Sequence, residues 1–152
     1  MTDINDSLPP VEVLDSSSNT VNLAALPTPF VLYFYPKADT PGCTNEAKDF
    51  TDLAGEFAEI DCAVYGISKD KPAKLTKFAA KYQLSVTLLS DEASDATERM
   101  GIWVEKSLYG RNYMGIERAT FLVGSDGKVI RVWRKVKVKG HAAKVLAAAQ
   151  QL

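Results

Sequence analysis

The sequence predicts an α/β fold, a mixed central β-sheet flanked by helices and entered through an N-terminal β-hairpin. Two observations predict it. Strand-type and helix-type hydrophobic patterns alternate from about residue 30 to residue 89, and the later part changes to a tight hairpin followed by an alanine-rich helix. At 152 residues, with 46% hydrophobic residues and a formal net charge of -1, the chain has the size and balance of one globular domain spanning 1–152.

Val11, Val13 and Leu14, the turn-rich Asp15-Ser16-Ser17-Ser18-Asn19, and then Val21 and Leu23 read as the opening hairpin. Phe30-Val31-Leu32-Tyr33-Phe34-Tyr35, ended by Pro36, is a continuous apolar run, as expected of a central strand buried on both faces. From about Thr44 to Ile60, Ala47, Phe50, Leu53, Ala54 and Phe57 fall at helical spacing with acids on the remaining face. A strand at Ala63–Ser68, a helix presenting Leu75, Phe78, Ala79 and Tyr82, and a strand at Val86–Leu89 complete a β-α-β-α-β series. Such a series requires parallel strands with helical crossovers, because a tight turn cannot join parallel neighbours. Ala119–Val123 and Lys128–Trp133 around Gly124-Ser125-Asp126-Gly127 form an antiparallel hairpin, and His141 to Leu152 is the final helix. The run Arg131, Arg134, Lys135, Lys137 and Lys139, alternating with Val132, Val136 and Val138, has the pattern of a strand with one solvated face. Together these elements follow the plan of a thioredoxin-like fold.

Composition excludes several function classes. Lys plus Arg (18) are balanced by Asp plus Glu (19), so neither a nucleic acid nor a membrane surface is an expected partner. The start, Met1-Thr2-Asp3-Ile4-Asn5-Asp6 followed by Pro9-Pro10, lacks the basic and apolar regions of a secretory signal, and no apolar stretch approaches the ~20 residues that span a bilayer. The two cysteines, Cys43 and Cys62, are too few to staple a fold of this size and suit a reducing cytoplasm.

Chemistry concentrates in Tyr33-Phe34-Tyr35-Pro36-Lys37-Ala38-Asp39-Thr40-Pro41-Gly42-Cys43-Thr44-Asn45-Glu46, which runs from the buried strand into the first turn of a helix. Cys43 is placed at that helix N-terminus, where unpaired N–H groups and the positive end of the helix dipole both favour a thiolate. Pro36 and Pro41 restrict the backbone around it, and Gly42 removes a side chain so that the backbone can approach a small ligand. Thr40 brings a hydroxyl beside the sulfur, able to accept from one partner and donate to another. A structural cysteine is normally set among apolar residues, whereas this one lies among Asp39, Thr40, Thr44, Asn45 and Glu46.

The string Pro36-x-x-x-Thr40-x-x-Cys43 resembles the active-site motif of peroxiredoxins, and Tyr33 to Glu46 resembles the bacterioferritin comigratory protein, or Q-type, branch. Gly66-Ile67-Ser68-Lys69-Asp70, Thr87-Leu88-Leu89-Ser90-Asp91, Tyr109-Gly110-Arg111, Gly115 to Leu122 and Gly140-His141-Ala142 extend the likeness over roughly residues 7 to 150. The resemblance implies a thiol-dependent peroxidase acting on hydrogen peroxide and organic hydroperoxides, with no metal or organic cofactor. It implies that Cys43 is the peroxidatic cysteine, that Thr40 hydrogen-bonds the peroxide, that Pro36 shields the sulfur, and that Arg118 completes the site. It further implies a cytoplasmic monomer reduced by thioredoxin, glutaredoxin or a low-molecular-weight thiol.

The resolving thiol is where this chain departs from its kin. Many relatives carry a second cysteine five residues after the first, where Lys48 stands here, or in the following helix at a position matching Ala79. Cys62 remains, at the start of a predicted strand, and packing is its expected role. The preferred expectation is a one-cysteine cycle closed by an external thiol, with a Cys43–Cys62 bridge as the alternative. A non-catalytic thioredoxin-like module for binding or redox sensing is the competing function class. A disulfide oxidoreductase lacks its C-x-x-C pair, a Cys–His hydrolase would have to recruit the distant His141, and a zinc site lacks ligands. His141 is expected to be a helix N-terminal residue, and Trp103 and Trp133 to be packing residues. The basic run could instead help dock an acidic reductase.

Overall fold

The computed structural model describes all of residues 1–152. Its sheet is built from β1 (Glu12–Asp15), β2 (Thr20–Asn22), β3 (Phe30–Phe34), β4 (Ala63–Ser68), β5 (Thr87–Ser90), β8 (Ala119–Val123) and β9 (Val129–Trp133), in the order β2-β1-β5-β4-β3-β8-β9. β3, β4 and β5 are parallel, while β1 adds antiparallel to β5 and the β8–β9 hairpin adds antiparallel to β3. Crossovers are supplied by α1 (Pro41–Asp52) with α2 (Ala54–Glu59), and by α3 (Pro72–Tyr82); α5 (His141–Ala149) closes the chain. This is the mixed, helix-flanked sheet that the alternating pattern predicts.

β3 organises both halves of the core. Successive side chains of a strand point to opposite faces. Phe30, Leu32 and Phe34 therefore enter one cluster with Val13, Ile67, Met100, Ile102 and Phe121, while Val31, Tyr33 and Tyr35 enter the other, with Cys43, Phe50, Phe78 and Val145. All of β3 is buried, as the unbroken apolar run requires.

Four features depart from the sequence reading. The helix expected over Thr44–Ile60 begins earlier, at Pro41, and is broken at Leu53, whose φ of -98° and ψ of 6° fall outside the helical region. The alternating basic run is not a strand beyond Trp133, because Lys135 sits at φ 48° and turns the chain out of extended geometry. The last helix stops at Ala149 rather than Leu152. Between residues 92 and 116, left unassigned by the sequence, lie the one-turn α4 (Ala96–Arg99) and a separate hairpin of β6 (Trp103–Leu108) and β7 (Arg111–Ile116). Its two-residue turn, Tyr109-Gly110, has positive φ at both positions, the conformation that suits a tight hairpin.

Gly66 of β4 lies across from Tyr33, and a Cβ there would stand 2.7 Å from both Cζ and the hydroxyl oxygen of that ring. The ring is fully buried and stacked on Phe50 at 4.7 Å, so it has nowhere to retreat. Gly66→Ala is expected to cost about 2 kcal/mol, the scale of overpacking in a filled core. A lowered urea midpoint with an unchanged m-value checks it.

Candidate active site

The loop between β3 and α1 is held at several points. Tyr35 N–H donates to the Ile67 carbonyl, which extends the strand, and Ala38 N–H donates to the Asp70 carboxylate at 2.7 Å. Asp39 has φ 63°, a conformation that Asp tolerates better than most residues, and its carboxylate accepts from Tyr82 Oη at 2.6 Å and Lys81 Nζ at 3.0 Å. Those two donors hold its carboxyl below the usual range. Thr40 is the N-cap residue, but its hydroxyl donates to the Lys37 carbonyl at 2.8 Å instead of capping the helix. Pro41 follows at the first helical position, where its missing N–H costs nothing.

Cys43 is thereby placed in the first turn of α1, with a residue exposure of only 2%. The first intrahelical bond runs from Thr44 N–H to the Thr40 carbonyl, so the N–H groups of Gly42 and Cys43 lie ahead of the ladder. Arg118, between β7 and β8, reaches the same point from the start of β8, the strand beside β3. Its Nη2 donates to Cys43 Sγ at 3.4 Å and its Nη1 to Glu46 Oε1 at 2.7 Å. Gly42 is explained by that approach, since a Cβ on it would stand 3.2 Å from Nη2. The space left by the glycine is used by a guanidinium, where the sequence reading reserves it for a ligand. Pro36 lines the same loop, half-buried.

Cys43, Thr40, Pro36 and Arg118 thus all belong to one loop, helix start and sheet end, and the direct side-chain contact among them is that of Arg118 with Cys43. Glu46 is the residue that sequence reasoning missed, grouping it with the acids of the outer helix face. It is 1% exposed and faces the core, one helical turn from Cys43. The i, i+3 spacing from Cys43 was the available signal. Burial pushes its carboxyl up from 4.5 to about 7 despite the Arg118 guanidinium, and Oε2 has no hydrogen-bond partner. The hydroxyls of Tyr33 and Tyr35 are likewise buried and unpartnered. Lys106 of β6 lies on the other flank, its ammonium held below the usual value by burial and by Arg118.

His141 begins α5 as the sequence reading expects. Its ring Nε2 lies 2.7 Å from Thr120 Oγ1, with its edges against Phe50 and Trp133. Burial and the cations Lys144 and Arg118 push it down to about 4, so it is neutral at neutral pH. Trp103 and Trp133 are half-buried packing residues. Cys62 is 3% exposed, and burial alone pushes its thiol up to about 11. The parallel register separates the two sulfurs. Cys62 precedes Ala63, which is level with Phe30, whereas Arg118 and the Cys43 it touches lie beyond Phe34. The strand between those levels is about 13 Å long.

The chain that carries this cysteine, arginine, threonine and proline is similar to known proteins over most of its length. The AhpC/TSA family model matches residues 4–132. The chain is a peroxiredoxin of that family. Among curated relatives, Peroxiredoxin Bcp of Bacillus subtilis is 43% identical over 145 residues, covering 95% of this chain and 92% of that protein. Peroxiredoxin Bcp of Escherichia coli is 44% identical over 142 residues, covering 93% and 91%. Among solved structures, bacterioferritin comigratory protein of Xanthomonas campestris, studied for alkyl peroxide reduction, superposes with a TM-score of 0.89 at 37% identity over 98% of each chain. A cysteine-to-serine variant of Xylella fastidiosa PrxQ reaches a TM-score of 0.92 at 33% identity, covering 99% of this chain and 97% of that one. Peroxiredoxins of this kind have the thioredoxin fold predicted from the sequence.

Glu46 makes the stability of this peroxiredoxin depend on pH. An unfolded chain releases that proton near 4.5 and the folded one near about 7, so between these values the folded state binds more protons. Its contribution to stability therefore falls as pH rises through the window. Relative to Glu46→Gln, which keeps an acceptor oxygen for Arg118, the wild-type chain is expected to lose on the order of 3 kcal/mol from pH 4.5 to 7. His141, whose depressed value acts in the opposite sense, is common to both proteins and cancels. Urea unfolding of the pair at a series of pH values reads the difference, and a constant gap would contradict the assignment.

Proposed function

We propose that this peroxiredoxin reduces hydrogen peroxide and organic hydroperoxides by a one-cysteine cycle centred on Cys43. The observation that carries the reading is Arg118, whose half-buried guanidinium donates at once to the Cys43 sulfur and to Glu46. A guanidinium is permanently charged and favours negative charge on the sulfur and on the oxygen that departs. Thr40 spends its hydroxyl hydrogen on the Lys37 carbonyl, so its oxygen is left to accept from the O–H of the peroxide. Pro36 covers the loop side of the sulfur and limits water there.

In the first step the Cys43 thiolate attacks one oxygen of the O–O bond. The other oxygen leaves with the bonding pair and takes a proton, giving water or an alcohol, and Cys43 becomes a sulfenic acid. An external thiol then attacks that sulfur, water departs, and a mixed disulfide forms. A second thiol releases Cys43 as its thiol. Two thiols are oxidised for each peroxide reduced.

The external thiol is supported by the absence of a second thiol beside Cys43 in the folded chain. Lys48 is exposed on α1, Ala79 lies on α3, and Cys62 sits at the opposite end of β3. The ~13 Å of strand between the two levels exceeds the ~7 Å that separates Cα atoms in a disulfide. Because Cys43 is 2% exposed, a thiol larger than a peroxide reaches it once the first turn of α1 opens. The reductant is thioredoxin, glutaredoxin or a small thiol. One sheet with a core on each face supports a single domain over 1–152. Two free thiols support a cytoplasmic setting, and exposed large apolar side chains confined to the β6–β7 hairpin and the termini, apart from Ile130, support a monomer.

Cys43→Ser is expected to abolish peroxide turnover with dithiothreitol, whereas Cys62→Ser stays within about twofold of wild type. Arg118→Met is expected to lower kcat/KM for peroxide by about 100-fold or more, the scale of removing a charge-stabilising donor. Intact-mass measurement after one equivalent of hydrogen peroxide should show the gain of one oxygen. Loss of two hydrogens would instead mean a Cys43–Cys62 disulfide and would end the one-cysteine reading.

A further inference from the structure

The segment joining β9 to α5 carries Lys135, Lys137 and Lys139, all exposed, with Val136 and Val138 half-buried between them. The segment belongs to no sheet; it bends at Lys135, where φ is 48°, and turns again at Lys139. It is fixed instead by single bonds. Val136 N–H donates to the Arg118 carbonyl at 3.1 Å, Lys135 N–H to a Glu117 carboxylate oxygen at 3.3 Å, and His141 N–H to the Val138 carbonyl at 3.0 Å. The lysines are therefore anchored to the residue whose guanidinium touches the Cys43 sulfur.

These cations have no intramolecular task. Six of the 18 cations, Lys69, Lys74, Lys81, Arg99, Arg118 and Arg134, are paired with a carboxylate, and Lys135, Lys137 and Lys139 are among those that are not. Lys106 and Lys144, which bear on Arg118 and His141 through their charge, are also unpaired. Three exposed cations thus stand on a segment bonded through Val136 to Arg118, in a chain whose net charge is -1.

We infer that Lys135, Lys137 and Lys139 form the docking surface for a protein dithiol with an acidic face, which reduces the sulfenic acid of Cys43. The inference rests on the external-thiol cycle proposed above. The partner's first thiol sulfur bonds to Cys43 as water leaves, and its second thiol displaces Cys43, so the partner departs with a disulfide. Charge attraction raises the rate of encounter and is weakened by salt.

Thioredoxin, kept reduced by its reductase and NADPH, serves as the acidic dithiol probe, with dithiothreitol as the uncharged comparison. The K135E/K137E/K139E variant is expected to lose about tenfold or more in kcat/KM for thioredoxin, while its dithiothreitol-driven turnover stays within about twofold. The corresponding triple glutamine variant should lie between it and wild type, which separates charge from fold. Wild-type turnover with thioredoxin should fall steeply from low salt to 0.3 M, and that of the glutamate variant should not. Equal thioredoxin kinetics in all three proteins, or better use of glutathione than of thioredoxin by the wild type, overturns the docking surface. Absent dithiothreitol-driven turnover in the wild type would overturn the peroxidase cycle itself.

Discussion

A half-buried arginine with one nitrogen on a carboxylate and another on a sulfur is the constraint on which the rest of this site depends. Removing a guanidinium from water is expensive unless its hydrogen bonds and charge are met inside the protein. Arg118 is met by Glu46 and Cys43, which keep it protonated against the opposing effect of burial. Glu46 is only half satisfied, since its second oxygen lies buried without a partner. Such a residue is costly for stability, and the cost is tolerated because it aims the guanidinium at the sulfur.

The sheet explains how these groups meet. Arg118 comes immediately before Ala119, which pairs with Phe34, and so enters the site at the end of β3 from which the Cys43 loop departs. Asp70 and Asp39 tie that loop to the end of β4 and to α3. Beneath it, Tyr33 stacks on Phe50 and tilts against Tyr35, making a rigid aromatic floor under the first turn of α1. The sulfur is held by elements that are separately anchored, which is what a preorganised nucleophile needs.

The same geometry divides the two cysteines. α1 begins at the end of β3 that carries the chemistry and runs back toward the other, where α2 and Cys62 pack against the sheet. Cys62 is a core residue with a raised thiol, Cys43 a residue of the site, and the length of β3 lies between them.

Local pattern alone determined a good deal about this protein. The apolar run at Phe30–Tyr35, the alternation that follows it and the Pro36-to-Cys43 string point to the sheet, the crossovers and the candidate cysteine, because each is a matter of neighbours in sequence. Tertiary structure decided what depends on residues far apart. Arg118 lies 75 positions from Cys43, and nothing in its own surroundings announces the contact. The inward turn of Glu46, the guanidinium that claims the space at Gly42 and the break at Leu53 are likewise set by packing. The β6–β7 hairpin escaped notice because its strands are largely exposed and carry little hydrophobic alternation. Periodicity reports which face of an element is buried, and only the assembled sheet fixes what that face meets.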